Sequence, residues 1–403
     1  MSQNLEFTDR LVLSVLANDL NFSQTRLELI LKTYSSLKIA VVDKFESFTS
    51  LFSEQNFKKK SQDTKTQSSF LDEDVSKIQN VVTKAWLGKI QNYDWSKLET
   101  KISKLDQSLT QNQIQILLHK DFPQTIQDLV DAPCLLYYQG DLSCFELRKN
   151  IAVVGSRQIS TYTTRVLNTI LPELTQADLG IVSGLALGVD SLAHKLSLGT
   201  RSKCIAFIGS GIDDASFYPS QNKLLKYEIL ENQGLICSEY PPGFQSMPYT
   251  FPRRNRFVAS VADITWVVQA SIKSGALITA KLALDFGKTV ATTPSSVFDI
   301  SFDGNLQLLK DGAQIVSQTG DLFELLNLSI SLPANRNLNQ NIDWSNYSAN
   351  SKTIFEKLSF EPQELQDIFL ATKIPIPNLN TELSLLELAG LVENLGQGFW
   401  IRR

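Results

Sequence analysis

Two rhythms of apolar and polar positions divide this chain of 403 residues. From about residue 5 to 110, apolar side chains such as Leu11, Val12, Val15 and Leu16 recur at helical spacing, with no alternating strand pattern, which predicts a small all-helical domain over 1–110. It is interrupted near 58–69 by Lys58-Lys59-Lys60-Ser61-Gln62-Asp63-Thr64-Lys65-Thr66-Gln67, a polar stretch with no face to bury, read as a loop with a solvated lysine tip. Over 111–332 the rhythm changes to short β-branched runs separated by helix-length segments. The runs are Ile151 to Val154, Gly180 to Val182, Cys204 to Ile208, Leu235 to Cys237, Ile264 to Val268, Thr289 to Ala291 and Gln314 to Val316. Runs that are continuously apolar are buried on both faces, so they predict an extended Rossmann-like, doubly wound α/β fold with a mostly parallel sheet. Residues 333–343, with five asparagines and glutamines and little apolar content, read as a linker. In 344–403, Ile354, Leu358, Leu365, Ile368 and Phe369, then Leu383, Leu386 and Leu388, predict small helices, closed by a hairpin from Gly390 to Ile401. Helices followed by a β-wing make a winged-helix pattern. Its second half carries Glu382, Glu387 and Glu393 with basic Arg402 and Arg403 only at the end, which favours contact with protein over DNA.

Charge changes the picture only by what it excludes. Lys plus Arg number 38 against 42 Asp plus Glu, a net charge of -4, so any polyanion must bind at a local basic patch. The four cysteines, Cys134, Cys144, Cys204 and Cys237, form no CxxC pair, which speaks against a zinc site and for reduced thiols. Met1 to Asp9 lack a basic-then-apolar signal pattern, and no apolar run approaches the ~18 residues of a membrane span. A cytoplasmic protein without metal, cofactor or membrane contact is expected.

The candidate chemistry lies where strands give way to loops. The first central run ends in Gly155-Ser156-Arg157, where a glycine lets amides approach an anion, Ser156 offers N–H and hydroxyl donors, Arg157 adds a charged fork, and the dipole of a helix starting near Ser160 favours the same anion. Ser183-Gly184 and Ser274-Gly275 repeat the device at neighbouring strand ends, with Ser274 as N-cap of a helix through Phe286. Arg253, Arg254, Asn255 and Arg256 supply the local positive charge, interleaved with Phe244, Tyr249, Phe251 and Phe257 for base stacking. Each has a plainer role open to it: Gly155-Ser156-Arg157 as a structural turn, Arg254 or Arg256 as braces on Glu239 and Asp213, Phe257 and Phe251 as core. His194, four residues after Asp190, has no nucleophile or metal partner beside it and reads as a packing or hydrogen-bonding residue, with Asp190 at a helix start.

Taken in order, the blocks Gly155-Ser156-Arg157, Ser183-Gly184 through Asp190, Gly209-Ser210-Gly211, Phe251-Pro252-Arg253-Arg254-Asn255-Arg256 and Ser274-Gly275-Ala276 resemble the DNA-processing DprA (Smf) family over about residues 113 to 317. The resemblance implies a protein that binds single-stranded DNA and helps load a RecA-type recombinase during DNA uptake, transformation or recombination. It also implies a homodimer through the Rossmann-like domain, and a mediator rather than an enzyme. Against the family pattern, Gln269 stands where relatives generally carry an acid, Pro294-Ser295 replaces Pro-Gly, and Ala17 to Phe22 lacks a glycine-bearing hairpin. Among rivals, a nicotinamide dehydrogenase lacks its second and third glycines after Gly155 and the ribose-binding acid after Val182. A nucleotide hydrolase of the lysine-decarboxylase-like group would need Pro-Gly-Gly-x-Gly-Thr and a glutamate where Lys273 to Thr279 stand, and a P-loop ATPase would need a Gly-Lys-Ser/Thr element.

Overall fold

A computed structural model describes residues 7–20, 24, 26–28, 84–328, 344–359 and 362–402. The polar stretch near 58–69 and the linker 333–343 lie outside the described residues. The chain divides into two compact units, Met1–Ser329 and Ile330–Arg403.

The larger unit is built on a nine-stranded sheet. Its strands are β1 (Gln115–Leu118), β2 (Leu135–Gly140), β3 (Asn150–Val154), β4 (Gly180–Ser183), β5 (Lys203–Ile208), β6 (Leu235–Ser238), β7 (Ile264–Val267), β8 (Thr289–Thr292) and β9 (Gln314–Ile315). They lie in the order β1-β2-β6-β5-β4-β3-β7-β8-β9. β1 and β2 join antiparallel, and the seven strands from β6 to β9 are mutually parallel. The seven parallel strands match the β-branched runs. The antiparallel pair escaped notice because β2, Leu-Leu-Tyr-Tyr-Gln-Gly, is neither β-branched nor alternating. From β3 the chain winds outward through β4, β5 and β6, then returns to lay β7 on the other side of β3, Ile151 pairing with Ile264. The reversal opens a crevice outside the carboxyl ends of β3 and β7, the place where ligands bind such sheets.

Strands β3, β4 and β7 are buried throughout, as parallel strands between helical layers must be. Trp266 on β7 is fully buried and donates Nε1–H to Thr293 Oγ1 at 3.0 Å. The helices that frame the crevice are α5 (Thr161–Leu174), α6 (Val189–Ser197), α8 (Thr250–Val261) and α9 (Ala276–Asp285), with α7 (Lys223–Glu231) between β5 and β6. Preceding them are α1 (Phe7–Leu20), α2 (Lys84–Gln91), α3 (Leu98–Gln111) and the one-turn α4 (Gln124–Gln127). The segment set apart as a helical domain over 1–110 does not hold a core of its own in its described part. Leu13, Leu16 and Leu20 of α1 and Ile90 of α2 share one buried cluster with Tyr137, Ile208 and Ile236 of the sheet. Among the described residues, the apolar faces of α1 and α2 are thus covered in part by the sheet. α10 (Asp303–Lys310) and α11 (Thr319–Leu325) complete the unit.

The smaller unit contains α12 (Ala349–Lys357), β10 (Gln363–Glu364), α13 (Leu365–Thr372), α14 (Ile376–Leu388), β11 (Val392–Gly396) and β12 (Phe399–Arg402). Its strands pair antiparallel in the order β10-β12-β11, a winged helix. Ile354, Ile368, Leu379, Leu383, Leu386 and Trp400 form the core. Leu388, one of the apolar positions that predicted this helix, is 86% exposed. It is the last residue of α14, two positions after buried Leu386, and a two-residue step turns a helical side chain about 200° away.

Candidate nucleic-acid interface

The crevice outside β3 and β7 is a cleft of about 710 Å³. Of the residues chosen from sequence, Gly155, Ser156, Arg157, Gly184, Arg254, Asn255, Ser274 and Gly275 line it, while Ser183, Arg253 and Arg256 do not.

The turn after β3 is held from beneath. Ser156 donates its N–H to Gln269 O at 2.8 Å and its hydroxyl to Gln158 O at 2.7 Å, and its carbonyl accepts from Val189 N–H at 3.1 Å. These donors were expected to meet an anion. They shape the turn instead, because a strand-to-helix corner leaves backbone groups that must be paired within the fold. Gly188, at φ +82°, packs against the same turn, where a Cβ would come within 2.7 Å of Arg157 Cα. Arg157 is left as the exposed charge of the turn, its guanidinium 5.2 Å from the centroid of the Phe251 ring.

The start of α5 follows the same logic. Ser160 is its N-cap, accepting from Thr163 N–H at 3.1 Å. The side-chain oxygen of Gln269 accepts from Ser160 N–H at 3.0 Å and from the Thr163 hydroxyl at 2.7 Å, so the positive end of the helix is occupied by the protein itself rather than offered to a ligand. Gln269 in turn donates to Ser301 Oγ at 3.0 Å. Ser295, in place of a glycine, does not take a positive φ.

Helix α8 forms one wall. Phe251, Arg254, Asn255 and Val258, at i, i+3, i+4 and i+7, face the cleft on a single stripe. Arg254 is buried. It donates Nη1–H to the carbonyls of Gly184 and Phe207 and Nε–H to Asn255 Oδ1 at 3.1 Å. Gly184 is required there, because a Cβ would strike the guanidinium. Burial pulls the Arg254 pKa down to about 10, with nearby Asp190 opposing the shift and Arg157 adding to it, so the group stays cationic at neutral pH. Asp190, buried at the start of α6, accepts from Gly184 N–H at 3.0 Å and Ala186 N–H at 3.3 Å. Burial raises its pKa against the pull of Arg254.

Arg253 and Arg256, three residues apart, share the other face of α8. Glu239 accepts from Arg253 at 2.9 Å and from Arg256 at 2.9 and 3.1 Å, and Asp131 lies 3.1 Å from Arg256 Nε. Of the two proposed bracing residues Arg256 is one, and Arg253 joins it on Glu239. Asp213 instead accepts from Ser216 Oγ at 2.5 Å and Gly243 N–H at 2.7 Å. Ser183 is fully buried and donates to Val153 O at 2.8 Å, pinning β4 to β3.

Packed against α8, α9 begins at Ala276 with Gly275 as its N-cap, one residue later than expected, while Ser274 Oγ still accepts from Ala276 N–H at 3.3 Å. Sequence reading missed Phe251 and Val258 as a stripe with Arg254, a pattern that the helical spacing of Phe251 to Val258 contains. It missed Asp190 as the one acid in the lining, which carries no local signal. Phe257 is core, as expected. His194 is fully buried with neither ring nitrogen paired among the described residues, so it packs without the expected hydrogen bond, and burial lowers its pKa to about 3. No group of three or more His, Cys, Asp or Glu side chains among the described residues could hold a metal ion. No described helix is long and apolar enough to cross a membrane.

A family model described as DNA recombination-mediator protein A matches residues 113–327, and one described as DprA winged helix domain matches residues 345–398. The chain is 38% identical over 207 residues to the DNA processing protein DprA of Streptococcus pneumoniae, covering 51% of this chain and 72% of that protein. It is 30% identical over 280 residues to Protein Smf of Escherichia coli, covering 69% of this chain and 74% of that protein. The X-ray structure of DNA processing protein A from Streptococcus pneumoniae superposes with a TM-score of 0.51 at 31% identity, over 62% of this chain and 90% of that one.

Proposed function

Given that the chain belongs to the DNA recombination-mediator protein A family, we propose that its cleft binds single-stranded DNA and that the bound strand is passed to a RecA-type recombinase in DNA uptake, transformation or recombination. The observation that carries this reading is the pairing of two cations in one cleft, Arg157 exposed over Phe251 and Arg254 buried in the lining, with one buried acid, Asp190, among the lining residues. Arg157 meets the phosphates. Arg254, three of whose N–H donors are held by carbonyls and an amide, keeps its charge and sets the field from below. The bases lie against the apolar wall of Phe251, Pro252, Val258 and Ile278. A single strand suits this arrangement because its bases are free to turn onto such a wall.

We read the role as binding rather than catalysis. Asp190, the acid that a glycosidic cleavage would call on, is buried and held by two backbone amides on its Oδ2 within the fold. A homodimer through the Rossmann-like domain is in keeping with β9, which ends the sheet with Ile315 55% exposed. The winged helix is read as a protein-contact module, since α14 carries no Lys or Arg and exposes Leu385 and Leu388. The four free, buried cysteines suit a reducing cytoplasm.

Titration of labelled single- and double-stranded oligonucleotides at several salt concentrations tests the cleft. The expected result is preference for the single strand, with log K falling against log salt at about 0.7 per phosphate neutralised. A flat salt dependence would overturn it. Capture of the recombinase by the full chain loaded with DNA tests the hand-over.

A further inference from the structure

A second cavity, of about 220 Å³, lies on the other side of α8 from the cleft. Among the described residues its chemistry is set by Ser14, Glu239, Tyr240, Phe244, Tyr249 and Arg253. It falls short of the roughly 300–1,000 Å³ that drug-sized ligands fill, so it suits one ring system. Its wall is aromatic: Tyr240 and Phe244 stack at 4.5 Å with 16° between their planes, and Tyr249 is 58% exposed beside them. The Tyr240 hydroxyl is buried without a hydrogen-bond partner among the described residues, on a side chain only 8% exposed. A buried hydroxyl left in that state calls for a partner from outside the fold. Next to it Arg253, 40% exposed, spends one nitrogen on Glu239, whose carboxylate is 12% exposed.

Flat aromatic walls with a hydroxyl donor, a guanidinium and a carboxylate at one side match a planar ring that carries acceptors and donors along one edge. A nucleobase is such a ring, and a carboxylate is a common acceptor for its amino group. The cavity is also within reach of the cleft, because Pro248 lines the cleft and the next residue, Tyr249, lines the cavity. We propose that the cavity receives one base of the strand as it leaves the cleft over the step from Pro248 to Tyr249. This rests on the reading of the cleft as a single-strand site and adds a fixed station beyond it.

The test uses the full chain and labelled single-stranded oligonucleotides lengthened one nucleotide at a time, each made also with a single abasic position. Wild type is expected to show one position, outside the shortest stretch that binds, where removing the base weakens binding about fivefold or more. Tyr249→Ala should abolish that penalty, and Tyr240→Phe should reduce it by about threefold. Tyr249 is exposed, so its truncation leaves the unfolding midpoint in place as a control. An abasic penalty that persists unchanged in both variants, or no sensitive position beyond the shortest stretch, overturns the proposal while leaving the cleft intact. Failure of wild type to bind even the shortest oligonucleotide overturns both.

Discussion

Arg254 and Arg256 stand two residues apart on α8 and are 6% and 5% exposed, yet the surroundings of their charges differ. Arg256 lies against Glu239 and Asp131, so its charge is cancelled where it sits. Arg254 gives its Nε and Nη1 donors to two carbonyls and an amide oxygen, none of them charged, and Asp190 acts on it only through space. Both guanidiniums bear the cost of leaving water. On one face of the helix the cost is offset by an ion pair that locks loops together, and on the other by neutral dipoles that leave a positive field in the cleft. A count of arginines is therefore no measure of a nucleic-acid site, because the partner decides whether the charge reaches the ligand.

The hardest test of this contrast is Arg254→Ala. It removes a buried cation, leaves the Gly184 and Phe207 carbonyls without their donor and leaves Asp190 uncompensated, for an expected loss of about 3 kcal/mol or more in urea unfolding. Oligonucleotide binding should fall below detection at temperatures where the variant remains folded. Arg256→Ala should cost about 2 kcal/mol by stripping Glu239 of one of its two arginines, yet the folded variant should bind single strands as wild type does. Equal losses of affinity in the two variants would break the contrast.

Arg157→Ala probes the cleft without touching the fold. The side chain is exposed, so stability should move by no more than about 0.5 kcal/mol. Affinity should drop about tenfold for every sequence alike, and the salt slope should become shallower by about 0.7. A variant with wild-type affinity would make Gly155-Ser156-Arg157 a structural corner only.

Much of this was legible in the chain. Six of the seven parallel strands, β3 to β8, could be read because burial on both faces writes them as apolar runs, whereas both residues of the edge strand β9 are exposed, and Arg157, Gly184, Ser274 and Gly275 could be placed at the cleft because ligands gather at strand ends. Other features required the third dimension. Ser156 and Ser183 look like ligand donors, but their hydrogen bonds close onto Gln158, Gln269 and Val153, partners set by long-range packing. Gln269 lies more than a hundred residues from Ser160, whose helix it caps. The division of Arg253-Arg254-Asn255-Arg256 between two faces was present in the 100° step of the helix, but which face met the cleft depended on the placement of β4 and β5.

Asp190 offers the finest adjustment of the same contrast. It is the acid of the cleft as Glu239 is the acid of the opposite face, but it opposes Arg254 without a direct pair. Burial raises its folded pKa above the ordinary value of 3.8. For a carboxyl shifted upward, the native state holds the proton more tightly than the unfolded chain. Its stabilising share is therefore full below the ordinary value and is lost as pH rises through the folded one. Asp190→Asn keeps an oxygen for the Gly184 and Ala186 amides but cannot ionise. Over the weakly acidic range, the stability of wild type minus that of the variant should fall with pH by no more than about 1.4 kcal/mol per unit, read from denaturant midpoints. At neutral pH the variant leaves Arg254 and Arg157 without an opposing charge in the cleft, and single-strand affinity should rise by a few-fold, most at low salt. A difference curve flat in pH, with affinity unchanged, would mean that Asp190 is already neutralised within the fold, as Glu239 is, and the two faces of α8 would differ less than their partners suggest.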